Sequence, residues 1–169
     1  MARIDLGPWA AALAGLPVDV QIALYRQLSV RRDINAQTVY QRPLVAETAS
    51  LAAAAGGTAT GSWRWQTMTC IYQISGSQDT SGINRSECDL QIQSQNGSYP
   101  WIGTSDLPVS LAAIADVSTG AQAYTRLVPT VALRQETWLC TLTNNASSGT
   151  TALKVALKGV QLYSPGGGF

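Results

Sequence analysis

Residues 87–95 read ECDLQIQSQ, and this stretch decides the fold class because polar and apolar side chains alternate from Glu87 to Gln93. Cys88, Leu90 and Ile92 fall on one side of an extended chain, and the polar residues fall on the other. A period of two is typical of a strand with one buried and one wet face, whereas a helix needs a period of 3.6. The stretch therefore predicts a half-buried β-strand.

Further strand-like runs lie on both sides of this stretch. Residues 63–74 (WRWQTMTCIYQI), 121–128 and 136–143 (ETWLCTLT) are rich in β-prone side chains, and residues 107–117 fit a strand or a short helix. Turn-forming residues separate these runs. Several strands at this spacing predict a mainly β protein with an antiparallel, jelly-roll-like β-sandwich.

The last two strands are expected to pair with each other as a hairpin. The strand at 136–143 leads through a polar turn to a return strand at 153–163, LKVALKGVQLY. Lys154 and Lys158 are expected on its outer face. Gly159 is expected to shift the phase at a bulge, so that later apolar residues return to the core side.

The chain before residue 58 has a different pattern, which is helical or irregular. Residues 18–30 carry an apolar stripe at a spacing of four, which indicates a helix of about three turns. Short helices are also expected at 8–15 and, from the high alanine content, at 44–55. The predicted organisation is an N-terminal arm at 1–57, a sandwich at 58–163 and a flexible tail at 164–169.

The arm has too few large side chains for a core of its own, so it must lie on the downstream domain or on another chain. We interpret it as a segment that grips a neighbour, with apolar anchors and with arginines that pair across subunits. Deletion of residues 1–55 is then expected to leave a folded sandwich that no longer assembles. The expected interface residues are Val20, Leu24, Leu28, Arg26, Arg31 and Arg32.

Composition favours a crowded assembly over a freely diffusing monomer. Apolar residues make up 46% of the chain and charged residues 12%, with a net charge of +1, so little repulsion keeps copies apart. The first residues do not have the pattern of a signal peptide, and no apolar run is long enough to span a membrane. We therefore expect a protein that folds in a cytoplasm, without membrane contact.

Enzymatic chemistry has little support in the sequence. There is no histidine, and the three cysteines are too far apart for a zinc site, so neither a metal nor another cofactor is predicted. We interpret Cys70, Cys88 and Cys140 as reduced core residues, with one disulfide and one free thiol as the alternative. Phosphate-binding glycine loops and serine nucleophile motifs are also missing, so we expect no catalytic residues and no enzyme.

Nucleic acid and a carbohydrate or receptor are the two kinds of ligand that the aromatic and basic residues suggest. The near-zero net charge argues against nucleic acid, despite the arginines near residue 30 and the aromatic pair Trp63 and Trp65 beside Arg64. A carbohydrate or receptor is the alternative function, and Tyr99 and Trp101, on a predicted loop, are its candidate contact residues.

The stretches 136–145 and 154–163 resemble the closing hairpin of β-sandwich virion proteins from tailed bacteriophages, such as minor capsid, decoration or spike-base proteins. The shared features are a strand that ends in Thr143-Asn144 and a strand that ends in glycine, two residues, an apolar residue and Tyr163. The resemblance implies an accessory capsid or head-tail component of a virion, assembled in the host cytoplasm. Its implied partners are further copies of the chain, as a trimer or pentamer, and virion proteins such as the major capsid protein.

Overall fold

A computed structural model describes residues 5–48, 50–78, 87–95, 100–102, 109–114 and 125–165. The described residues form two α-helices, two short 3-10 turns at Gly7–Trp9 and Ala36–Thr38, and a set of strands. The helices are α1 (Val18–Leu28) and α2 (Leu111–Ile114). The strands are β1 (Tyr40–Glu47), β2 (Leu51–Ala54), β3 (Thr58–Arg64), β4 (Thr69–Gln78), β5 (Cys88–Ser94), β6 (Pro100–Ile102), β7 (Val109–Ser110), β8 (Thr125–Ala132), β9 (Thr137–Asn144) and β10 (Thr150–Tyr163).

The strands form two antiparallel sheets. Sheet A has the order β1-β10-β4-β8, and β2 continues along the same edge of β10 as β1. Sheet B has the order β3-β9-β5-β6, and β7 continues along β5 beside β6. Thr48 bridges the gap between β1 and β2, because its hydroxyl accepts a hydrogen bond from the Val155 N–H at 3.1 Å.

This strand order is that of a jelly roll. When β1 with β2, and β6 with β7, are each counted as one interrupted strand, the sheets read 1-8-3-6 and 2-7-4-5. Such an order arises when a long antiparallel hairpin is rolled up, so that successive strands alternate between the sheets except for strands 4 and 5, which are neighbours. The predicted mainly β, antiparallel sandwich is confirmed.

The main core lies between the two sheets and follows the strand alternation. Leu90 and Ile92 of β5 face Leu153, Val155 and Leu157 of β10 across this layer, all buried. At one end, Trp65 and Trp138 pack edge to face with ring centroids 5.8 Å apart. All three cysteines are buried and free, as the sequence predicts.

A second core lies on the outer side of sheet A, under α1. Val20, Leu24 and Leu28 are fully buried there, together with Leu13 and Trp9 of the preceding segment and Val160 and Leu162 of β10. Burial of each such aliphatic side chain contributes about 1.5–3 kcal/mol. The chain is therefore built in three layers, with a helix on one sheet and that sheet on the other.

The predicted arm does not need a neighbour for its apolar side chains. Of the two positions that the sequence allowed, on the downstream domain or on another chain, the described residues occupy the first. The third helix expected at 44–55 is wrong, because this segment forms the end of β1 and β2 within sheet A. Leu51 and Ala53 alternate with exposed alanines and pack in the main core, and this tertiary contact outweighs the helix propensity of alanine.

The phase shift expected at Gly159 is wrong, although the bulge is present. Lys158 pairs with Gln73 and Gly159 pairs with Ile71, so the extra residue is Tyr72 on β4. Val160 and Leu162 stay on the same side of β10 as Lys158 and are buried there by α1. Glycine is required at position 159 because a Cβ there would lie 2.2 Å from the Cys70 carbonyl oxygen.

The closing hairpin is also wrong, since β9 lies in sheet B and β10 lies in sheet A. Asn144 holds the crossing between the sheets. It is fully buried, its side-chain N–H donates to the Ala53 carbonyl at 3.1 Å, and its side-chain oxygen accepts from the Ala146 N–H at 3.0 Å. Its backbone bonds to Gly56 and Gly57 in the turn between β2 and β3. Alternation along each strand could not reveal which strand was its partner.

Candidate interaction surface

The outer face of sheet B is the candidate functional surface, because the chain's own helix α1 packs across β4 and β8 of the other sheet. Its side chains are polar and almost all uncharged. They are exposed along β3 and half-buried along β9 and β5. We define the sheet B outer face as Thr58, Thr60, Ser62 and Arg64 of β3, Thr137, Leu139, Thr141 and Thr143 of β9, and Asp89, Gln91 and Gln93 of β5.

Strand register arranges these side chains in rows. Thr58, Thr143 and Asp89 form the first row, and the next two rows are Thr60 with Thr141 and Gln91, and Ser62 with Leu139 and Gln93. Arg64 pairs with Thr137 in the last row. The face thus consists mainly of small hydroxyl and amide side chains in rows, and its β-branched threonines suit the extended backbone.

The two charged side chains of the face lie at opposite corners. Arg64 is on β3 in the last row, and Asp89 is on β5 in the first row. They are separated by about 20 Å along the strands and about 10 Å across them. Their arrangement gives the face one basic end and one acidic end.

Charges of both signs lie next to the face, because Glu136, whose carboxylate accepts hydrogen bonds from the Leu133 N–H and the Trp138 side chain, lies beside Arg134 at the basic end. Glu87, two residues before Asp89, is exposed at the acidic end. Arg134 is exposed in the turn between β8 and β9, and this turn is tied to the basic end because the Gln135 N–H donates to the Trp65 carbonyl at 2.7 Å. Asp89 is oriented by the Asn145 side chain, which donates to its carboxylate at 2.6 Å.

The β1 edge of sheet A is poorly suited to binding another strand. The Thr48 N–H donates to the Val155 carbonyl across the sheet, and the ladder alternates from there along β1. The nitrogen of Pro43 therefore points to the open side, where it cannot donate a hydrogen bond. Arg42 and Glu47 add charge to this edge strand, a pattern that discourages edge-to-edge pairing.

The structure does not bring the predicted interface residues together on a surface. Val20, Leu24 and Leu28 have no exposed area, so their expected role as anchors on a neighbour is corrected to packing on sheet A.

The predicted arginines lie elsewhere. Arg31 forms an ion pair with Asp33 of the same chain at 3.0 Å, and its expected pairing across subunits stays a prediction. The hydrogen bond from Arg31 lowers the pKa of Asp33 below its usual value. Arg26 and Arg32 are exposed to solvent, and their proposed cross-subunit pairs stay predictions.

The alternative glycan site falls outside the described part of the chain. Tyr99 is not among the described residues, and only the backbone of Trp101 is, as the middle of β6. Trp63 and Trp65, the aromatic pair weighed for nucleic acid, are buried in the main core, so their rings are not free to stack on bases.

The cysteine thiols of the described residues are poorly suited to nucleophilic chemistry. Burial raises the pKa of the Cys140 thiol to about 12 and also raises the pKa of Cys88, which keeps both thiols protonated and unreactive at neutral pH. Among the described Cys, Asp and Glu residues, no group of three could hold a metal ion. Neither described helix has the length and apolar character of a membrane-spanning helix.

Sequence reasoning missed the sheet B outer face. Its signal is present, because Thr58, Thr60 and Ser62 alternate with small or aromatic residues just as Thr141 and Thr143 alternate with Cys140 and Leu142. Among these three strands, a wet face was predicted only for residues 87–95, and no strand was predicted over 58–61. Only the register shows that three wet faces are adjacent.

Comparison with protein-family models gave no match, and comparison with curated proteins gave no significant match.

Proposed function

We propose that this chain is a non-enzymatic structural protein of a virus particle, an accessory capsid or head-tail component that binds neighbouring particle proteins through the sheet B outer face. The observation that carries the proposal is that one outer face of a jelly-roll sandwich presents nearly uncharged hydroxyl and amide side chains. Protein interfaces avoid charged residues at their centre, and here the charges lie at the corners. Jelly rolls serve in viral capsid domains as well as in lectins.

The proposal no longer depends on an N-terminal arm. The first third of the chain stabilises its own sandwich, so contact with neighbours has to use another surface. Low overall charge supports the same function. The resemblance to a closing hairpin gives no support, because β9 and β10 lie in different sheets.

Mass spectrometry of purified particles tests this proposal. We expect the chain to sediment with particles from its natural source at a constant ratio to the main shell protein. Thr141→Lys, at the centre of the sheet B outer face, should reduce incorporation at least about tenfold, because it buries an unpaired charge. Thr150→Lys, the same substitution on exposed β10, is the matched control and should be incorporated normally. A chain found only in the unsedimented fraction would contradict the proposal.

Glycan or receptor binding through Tyr99 and Trp101 stays the alternative. A glycan array that compares the wild-type chain with Trp101→Ala distinguishes the two functions. Binding that disappears in the variant would favour the alternative.

A further inference from the structure

We infer that the sheet B outer face binds the same face of a second copy of this chain, in a twofold contact that brings Arg64 of each copy against Asp89 of the other. The inference deepens the proposed function and rests on it only for the expectation that protein covers this face. A second copy of the chain is the simplest partner that the charge pattern of this face fits.

The diagonal placement of charge makes the face self-complementary. In a twofold face-to-face contact, the axis lies in the interface and exchanges the two corners. An axis across the midpoint of the line from Arg64 to Asp89 places each arginine over the partner's aspartate.

The position of this axis follows from the register. Strand β9 lies between β3 and β5, and Cys140 lies midway between Thr137 and Thr143. The axis therefore crosses β9 at the level of Cys140, and the outward side chains nearest to it are Leu139 and Thr141. Small hydroxyl side chains and one leucine near the axis allow two flat sheets to approach to about 10 Å, the usual spacing of packed sheets.

The contact is expected to be weak. Three strands over about 20 Å of length present a few hundred Å², less than the roughly 800 Å² per partner of a standard interface. The dimer should therefore become detectable in solution only as the protein concentration approaches about 1 mM. In an assembly, the high local concentration would favour it. A twofold contact closes with two copies, so it is separate from the trimer or pentamer predicted from the sequence.

Sedimentation velocity of charge-reversed variants tests the inference. Arg64→Glu or Asp89→Lys alone should weaken dimer formation about tenfold, because each creates two like-charge contacts. The double variant, with both charges exchanged, should return to within about threefold of the wild type. Lys154→Glu changes the net charge as much as Arg64→Glu does, but lies exposed on β10, and should leave dimer formation unchanged. Circular dichroism confirms that each variant is folded.

Cross-linking gives a second, charge-independent measurement. The native thiols are buried, so a short bis-maleimide reagent should join Thr141→Cys to its own copy near the axis. Lys154→Cys should not be joined.

Several results would overturn the inference. These are a wild-type chain that stays monomeric up to about 1 mM, single variants that associate normally, a double variant that is not restored, or a Lys154→Glu control that is as impaired as Arg64→Glu. A monomer that is nevertheless present in particles refutes self-association alone. A dimer with charge-swap rescue that never enters particles refutes the virion function alone.

Discussion

The two sheets of this sandwich have the same inner pattern but opposite outer faces. At one end of sheet A, the outward positions are buried under α1. They are Cys70 of β4, Val160 and Leu162 of β10, and Met68 just before β4. The outward positions of sheet B are mainly threonine, serine and glutamine. Apolar outward-facing residues thus indicate a sheet face that another part of the same chain covers. Polar outward-facing residues indicate a face that is left to solvent or to a partner.

The largest effect is expected where the chain covers itself. Leu24→Ala should lower the free energy of unfolding by about 2–5 kcal/mol, because it leaves a cavity between α1 and sheet A. Leu139→Ala, on the half-buried face of sheet B, is the matched control and should cost less than about 1 kcal/mol. Urea unfolding followed by circular dichroism measures both. Equal losses would mean that the two outer faces do not differ as described.

The same reasoning revises the expected result of a deletion. Removing residues 1–55 takes away β1 and β2 as well as α1, so the remaining chain should lose its fold rather than only its assembly.

The next effect concerns the connection between the two sheets. Asn144→Ala should lower the free energy of unfolding by about 2–3 kcal/mol, because the Ala53 carbonyl and the Ala146 N–H lose their buried partner. Asn145→Ala removes an exposed bond to Asp89 and should change stability by less than about 1 kcal/mol. Thermal unfolding compares the two variants. A harmless Asn144→Ala would show that the crossing is held by other contacts.

The smallest effect is expected just after α1, where Arg31 pairs with Asp33. The pKa of Asp33 is lowered in the folded protein, chiefly by the hydrogen bond from Arg31, so its contribution to stability is present at neutral pH and is lost as the pH falls through that lowered pKa. The difference in melting temperature between the wild type and Asp33→Asn should therefore be slight above about pH 5 and vanish in stronger acid. A difference that grows as the pH falls would contradict this assignment.

Alternation alone predicted the parts of the fold in which one strand carries its own signal. β5, β9 and β10 were clear, and the helical stripe of Val20, Leu24 and Leu28 is buried as expected. The end of β1 and all of β2 were missed because the alanines of residues 44–55 favour a helix, and the strand state of both depends on pairing with the distant β10. The sheet B outer face was missed for a related reason, since it exists only through the register of three separate strands.

Pro43 affects how copies of the chain can associate at high protein concentration. An uninterrupted edge would let copies add to one another strand by strand, as in fibrils, and a missing donor in the middle of β1 breaks that template. Strand addition along the β1 edge is therefore disfavoured when copies crowd together.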